Sequence, residues 1–186
     1  MSGVLALDPA PGILLALGCA LLFGHAAWHK WRALADFGAA FAAYRVLQPA
    51  LARPATVAIP ALESLVAAGL LAGRSRPWAA ATGAALLLAY AGGIALNLRR
   101  GRRDLDCGCA GPASRQPIGA WMVWRNLALA LALLALCLPW RGRALATPDA
   151  LTVGAGLLVA VCLYAAGERL LGSVRPRGLA LKGGLN

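Results

Sequence analysis

Residues 77–98 read "PWAAATGAALLLAYAGGIALNL", an unbroken stretch without a formal charge. At a rise of about 1.5 Å per residue, a helix of this length crosses the ~30 Å hydrocarbon core of a bilayer. The stretch opens on Pro77, whose missing N–H costs nothing in the first turn of a helix. It closes immediately before Arg99 and Arg100. A soluble core could bury one such helix, but four more runs of the same kind make lipid the natural solvent.

Those runs are Pro11–Trp28 and Ala150–Gly167, with no charge, and Pro54–Gly73 and Pro117–Trp140, with one each, Glu63 and Arg125. The chain of 186 residues is 60% hydrophobic and only 13% charged, against about 25% charged in soluble domains. The expected fold class is all-α: a polytopic membrane helix bundle of about five transmembrane helices, a four-helix core plus a C-terminal helix. A single membrane domain spans 1–171, with its core at about 11–140, and 172–186 reads as a disordered tail. The first run is expected to stay as a span, since neither a basic n-region nor a small-residue cleavage site frames it.

Between the first two spans, Trp31, Leu34, Phe37, Phe41 and Tyr44 recur at helical spacing, with Lys30, Arg32, Asp36 and Arg45 as the polar complement. This pattern predicts an interfacial amphipathic helix. A helix in a soluble loop is the competing reading, and it is too short to bury that stripe alone.

The net charge of +11 raises nucleic acid as a partner. The basic residues, however, punctuate apolar runs instead of forming one polar face, which argues against nucleic acid and for a bilayer. With five spans, one side collects Lys30, Arg32, Arg45, Arg53, Arg99, Arg100, Arg102, Arg103, Arg115, Arg169, Arg175, Arg177 and Lys182. The other side collects Arg74, Arg76, Arg141 and Arg143. Thirteen against four places the N-terminus outside and the C-terminus in the cytoplasm.

Glu63 lies nine residues into its run and Arg125 eight into its own, depths of roughly 13.5 and 12 Å. Charges at such depth pair or line a polar cavity. A Glu63–Arg125 contact assisted by Asn126 is therefore expected, either as a structural lock or as a substrate or proton site.

Polar chemistry concentrates in "RRGRRDLDCGCAG", residues 99–111. Cys107 and Cys109 are close enough along the chain for a small, strained disulfide, and strained bridges are the readily reduced ones. The flanking arginines favour the reactive thiolate, while Asp104 and Asp106 oppose it. Two alternatives stay open. The cysteines can be inert small residues, or they can join His25 and His29, which are i and i+4 on one helical face, in a soft N/S metal site. The spacing fits no common zinc pattern. No residue pattern calls for a cofactor; a quinone suits the setting but has no supporting motif.

"DCGCAG" after a third span resembles the "DCGCFG" signature of the methylamine-utilisation MauE family, membrane proteins related to the DoxX-like group. "HKWRALADFGAAFAAYRVLQP", "PALESLVAAGLL" and "WRNLALALALL" agree in order, so that the resemblance covers roughly residues 11–140. Ala110 stands where the family usually has an aromatic residue. The resemblance implies a multi-pass protein of the bacterial inner membrane that serves methylamine dehydrogenase as an accessory factor. Its role would be to process, transport or mature the disulfide-rich small (beta) subunit, alongside a thioredoxin-like periplasmic protein. It makes Cys107 and Cys109 the redox pair and Glu63 and Arg125 shared midspan positions. Disulfide maturation belongs outside the cytoplasm, whereas the charge count puts the thiols inside. The competing classes are a small transporter or metal-handling protein using Glu63 and Arg125, and an assembly partner in which no single polar residue matters.

Overall fold

A computed structural model of the chain describes residues 6–105 and 117–173. Six helices follow one another: α1 (Pro9–Arg32), α2 (Leu34–Ala43), α3 (Pro49–Leu71), α4 (Arg76–Arg99), α5 (Ala120–Ala135) and α6 (Thr147–Ser173). The all-α reading holds, and α1, α3, α4 and α6 are long and apolar enough to cross a membrane. The fourth apolar run is only partly helical. α5 has 16 residues, because Gly119 caps it in extended geometry and a turn follows Ala135. Hydropathy counts the whole run from Pro117 to Trp140, whereas backbone hydrogen bonding uses its centre.

α1 and α3 pack antiparallel, as do α3 with α4 and α4 with α5, while the backbone of α6 runs closest to α1. The core gathers Ala16, Phe23, Val66, Leu70, Ala80, Leu87 and Leu133. Lipid gives no hydrophobic push between helices, so close backbone approach through small residues supplies the contact. Gly83 of α4 shows how close. A Cβ there would come within 3.0 Å of Val66, 3.1 Å of Leu133 and 3.2 Å of Phe23. Large apolar side chains point outward instead, Leu65, Leu131 and Leu158 among them. That inversion suits an exterior made of hydrocarbon.

The helix expected after the first span is α2. Leu34, Phe37, Phe41 and Tyr44 are all half-buried, and α2 rests on the N-terminal part of α3 and touches α1. The stretch departs from expectation at its start. α1 runs on to Arg32, and Lys30 is turned into the bundle and is 4% exposed, where the sequence pattern had it on a polar face. The chain breaks at Ala33 (φ −132°, ψ 52°) before α2 begins.

The two ends of the bundle differ. At one end Leu7 and Trp140 form an isolated bridge, and the Arg76 guanidinium lies 4.2 Å from the Trp140 ring centroid. Arg143 there donates to both Asp8 and Asp149. The other end gathers the last turn of α1, α2, the C-terminus of α4 and the N-terminus of α5. The Asn97 amide donates to the Tyr44 carbonyl at 3.0 Å and Arg100 donates to the Arg45 carbonyl at 3.3 Å. The segments after α1 and after α4 therefore share one end, as the grouping of basic residues required. α6 extends to Ser173, two residues beyond the expected domain limit, and the rest of the tail lies outside the described residues.

Candidate functional site

The thiol loop springs from a well-defined base. α4 ends at Arg99 and the chain reverses through Gly101, at φ +74°. The Gly101 N–H donates to the Leu98 carbonyl at 3.0 Å and the Arg102 N–H to the Asn97 carbonyl at 3.0 Å. This is a Schellman motif, and its left-handed residue is the one that glycine accommodates without strain. Leu105 and Ile118 then close the neck, the Ile118 N–H donating to the Leu105 carbonyl at 3.0 Å. Both pack with Ile94, Met122 and Tyr44. Cys107 and Cys109 sit between those stems and lie outside the described residues. The remaining cysteines, Cys19, Cys137 and Cys162, are free thiols.

Beneath the loop base is a buried polar cluster. Glu63 on α3 is 1% exposed, and its Oε1 accepts from Lys30 Nζ at 2.5 Å and from the Tyr90 hydroxyl at 2.8 Å. The ammonium also lies 5.3 Å from the Phe37 ring centroid and 5.4 Å from that of Tyr90. Glu63 Oε2 is buried without a hydrogen-bond partner among the described residues. A charge pair removed from water gains from this arrangement, since a lone carboxylate at that depth would be costly.

The expected Glu63–Arg125 pair is thus corrected. The α5 backbone packs on α4 and α1 and makes no close approach to that of α3, and the Glu63 carboxylate finds its cation on α1. Arg125 is instead half-buried, donates to the Tyr164 hydroxyl at 3.4 Å and to Asn126 Oδ1 at 3.5 Å, and lies 5.2 Å from the Trp121 ring centroid. Asn126 is 2% exposed, and its Nδ2 has no hydrogen-bond partner among the described residues. Arg125 therefore links α5 to α6, while Lys30 neutralises Glu63.

Lys30, Tyr90 and Asn97 carried no site assignment in the sequence. A signal for two of them was there. In α1 the buried positions Ala16, Ala20, Phe23 and Ala27 continue at helical spacing to Lys30. In α4, Leu87, Ala91 and Ile94 continue in the same way to Asn97. Asn97 is fully buried and satisfied, donating to the Tyr44 and Gly93 carbonyls and accepting from Arg102.

His25 and His29 do meet, with Nε2 to Nε2 at 3.1 Å and rings nearly perpendicular. One nitrogen must donate and the other accept. Among the described residues no group of three His, Cys, Asp or Glu side chains is placed to hold a metal ion.

Comparison with known proteins places these residues in context. The family model described as methylamine utilisation protein MauE matches residues 8–139. The methylamine utilization protein MauE of Paracoccus denitrificans is 39% identical over 151 residues, 80% of each chain. Its counterpart from Methylophilus methylotrophus is 34% identical over 167 residues, 89% of this chain and 88% of that one. That of Methylorubrum extorquens is 33% identical over 116 residues, 62% of each. No solved structure matches the chain.

Proposed function

Since the chain belongs to the MauE family of methylamine utilisation proteins, we propose that it is a membrane accessory factor of methylamine oxidation whose Cys107–Cys109 pair performs thiol–disulfide exchange. The observation that carries the reading is the Cys-Gly-Cys sequence beside four arginines, inside the family match and on a loop whose two stems are hydrogen-bonded together. The client is a disulfide-rich subunit of the amine-oxidising enzyme. A client thiolate attacks the Cys107–Cys109 disulfide to form a mixed disulfide, and a second client thiolate displaces it. The client gains one disulfide, the loop becomes a dithiol, and two electrons and two protons have passed from client to loop. A thioredoxin-like protein in its disulfide form reoxidises the pair by the reverse exchange.

Cys107→Ser and Cys109→Ser test this in a bacterium that needs the protein for growth on methylamine. Both variants are expected to insert normally and to abolish maturation of the client subunit. Full maturation in both would overturn the thiol role while leaving the family assignment standing. The second reading, a transporter or metal-handling protein, draws on the buried Glu63, now partnered by Lys30. Under it, Glu63→Gln with both cysteines intact would abolish solute uptake or metal resistance.

The protein resides in a bacterial cytoplasmic membrane. The basic residues assign the thiol loop to the cytoplasmic face, and client oxidation assigns it to the opposite one. Labelling with membrane-impermeant reagents decides between them.

A further inference from the structure

A cavity of about 330 Å³ opens between α2, α3 and α4. Protein interiors are close-packed, with few voids larger than a water molecule, so a space of this size is a feature of the fold. Ligand pockets run from roughly 300 to 1,000 Å³. The walls include Phe37 and Phe41 of α2, Tyr44 after it, and Tyr90 and Ile94 of α4, and Lys30 supplies a buried cation.

Two physical features narrow the occupant. The Lys30 ammonium has three N–H donors, of which Glu63 takes one among the described residues. Spare donors therefore face an aromatic-lined space. The charge of Lys30 is already balanced by Glu63, so an anionic ligand would bring an uncompensated charge into a medium that penalises it. The complementary molecule is neutral, flat and apolar, and carries a carbonyl acceptor at one end. A lipid acyl chain is a flexible hydrocarbon beyond its ester carbonyl and has no ring to lie between aromatic walls.

We propose that this cavity binds a membrane quinone, its ring against Phe37 and Tyr90 and one carbonyl accepting from Lys30 Nζ. The inference stands independently of the thiol chemistry, since it rests on the buried cluster and the cavity alone.

The test uses the full chain in lipid nanodiscs with a photoreactive short-chain benzoquinone, followed by mass-spectrometric mapping. Crosslinks are expected in residues 34–47 and 86–94. Excess decyl-benzoquinone should suppress them by roughly tenfold or more, as should Ala89→Phe, which fills apolar space in the cavity wall and spares the Lys30–Glu63 pair. Ala40→Leu serves the same purpose should Ala89→Phe fail to fold. Crosslinks scattered over the lipid-facing surface of α6 and indifferent to competitor would overturn the proposal. So would labelling of the same peptides by a photoreactive phosphatidylcholine that decyl-benzoquinone fails to displace.

Discussion

Two ion clusters among the described residues, one toward each end of the bundle, are built on opposite terms. Lys30 and Glu63 are 4% and 1% exposed and come from helices packed face to face. Arg143 is 41% exposed and bridges Asp8, at 34%, and Asp149, at 17%. The first pair is fixed by its surroundings, since both partners are buried among packed side chains. The second is held by geometry: Arg143 donates to two oxygens on each carboxylate, and bidentate pairing of this kind is the strong form of a surface contact. Its hydrogen bond, with help from the Ala10 N–H, holds the Asp8 carboxyl below its ordinary value of 3.8. Similar chemical groups thus serve as an interior lock at one end and as a clasp over loops at the other.

The sharpest way to break the comparison is Lys30→Met. It leaves the Glu63 carboxylate buried without its cation, and losing one partner of a buried pair costs about 3–5 kcal/mol. Thermal unfolding in detergent should show the loss, and the double variant Lys30→Met/Glu63→Leu should restore most of it. A single variant as stable as the parent would mean that the pair is not shielded from water.

Asn97→Leu comes next. It removes a side chain with three hydrogen bonds and leaves the Tyr44 carbonyl without that donor, worth about 1–3 kcal/mol. Amide exchange should rise in α2 and the turn after it while the core of α1 keeps its protection. Uniform exchange across the bundle would show that Asn97 does not tether this end.

Arg143→Ala is expected to lower stability least, since exposed ion pairs are screened by solvent. Because the folded Asp8 carboxyl titrates below 3.8, its contribution is complete above that value and disappears as the pH falls through the lower, folded one. Acidification should therefore lower the amide protection factors of Leu7 and Arg141, taken relative to the intrinsic exchange rate at each pH, in the parent and leave those of the already open variant unchanged. An equal response in both would remove Asp8 from the clasp.

How much of this was written in the sequence follows from what each pattern measures. Long apolar runs marked α1, α3, α4 and α6, because bilayer crossing depends on length and polarity, which a one-dimensional string records. α5 was overestimated because hydropathy is blind to the turn after Ala135. Glu63 stood out as a charge within an apolar run, but its partner did not. Matching depth favoured Arg125, while packing set the α5 backbone against α4 and α1 and not against α3. Lys30 was masked by Trp31 and Arg32, neighbours that look interfacial, although the buried stripe of α1 extends to it. Each of Lys30, Glu63, Asn97 and Asn126 lies on the inward stripe of its own helix. A polar residue in phase with its helix's apolar stripe is thus a better guide to a buried site than its depth alone.

The most direct test of the central claim is the redox state of Cys107 and Cys109 in intact cells. Cys19, Cys137 and Cys162 would first be replaced by Ala, and an impermeant thiol reagent applied before and after reduction, with and without permeabilisation. The account predicts a pair protected as a disulfide in growing cells and alkylated at both thiols once reduced, on whichever side the reagent reaches it. Two thiols that remain free under every growth condition, in a protein that still supports client maturation, would contradict it.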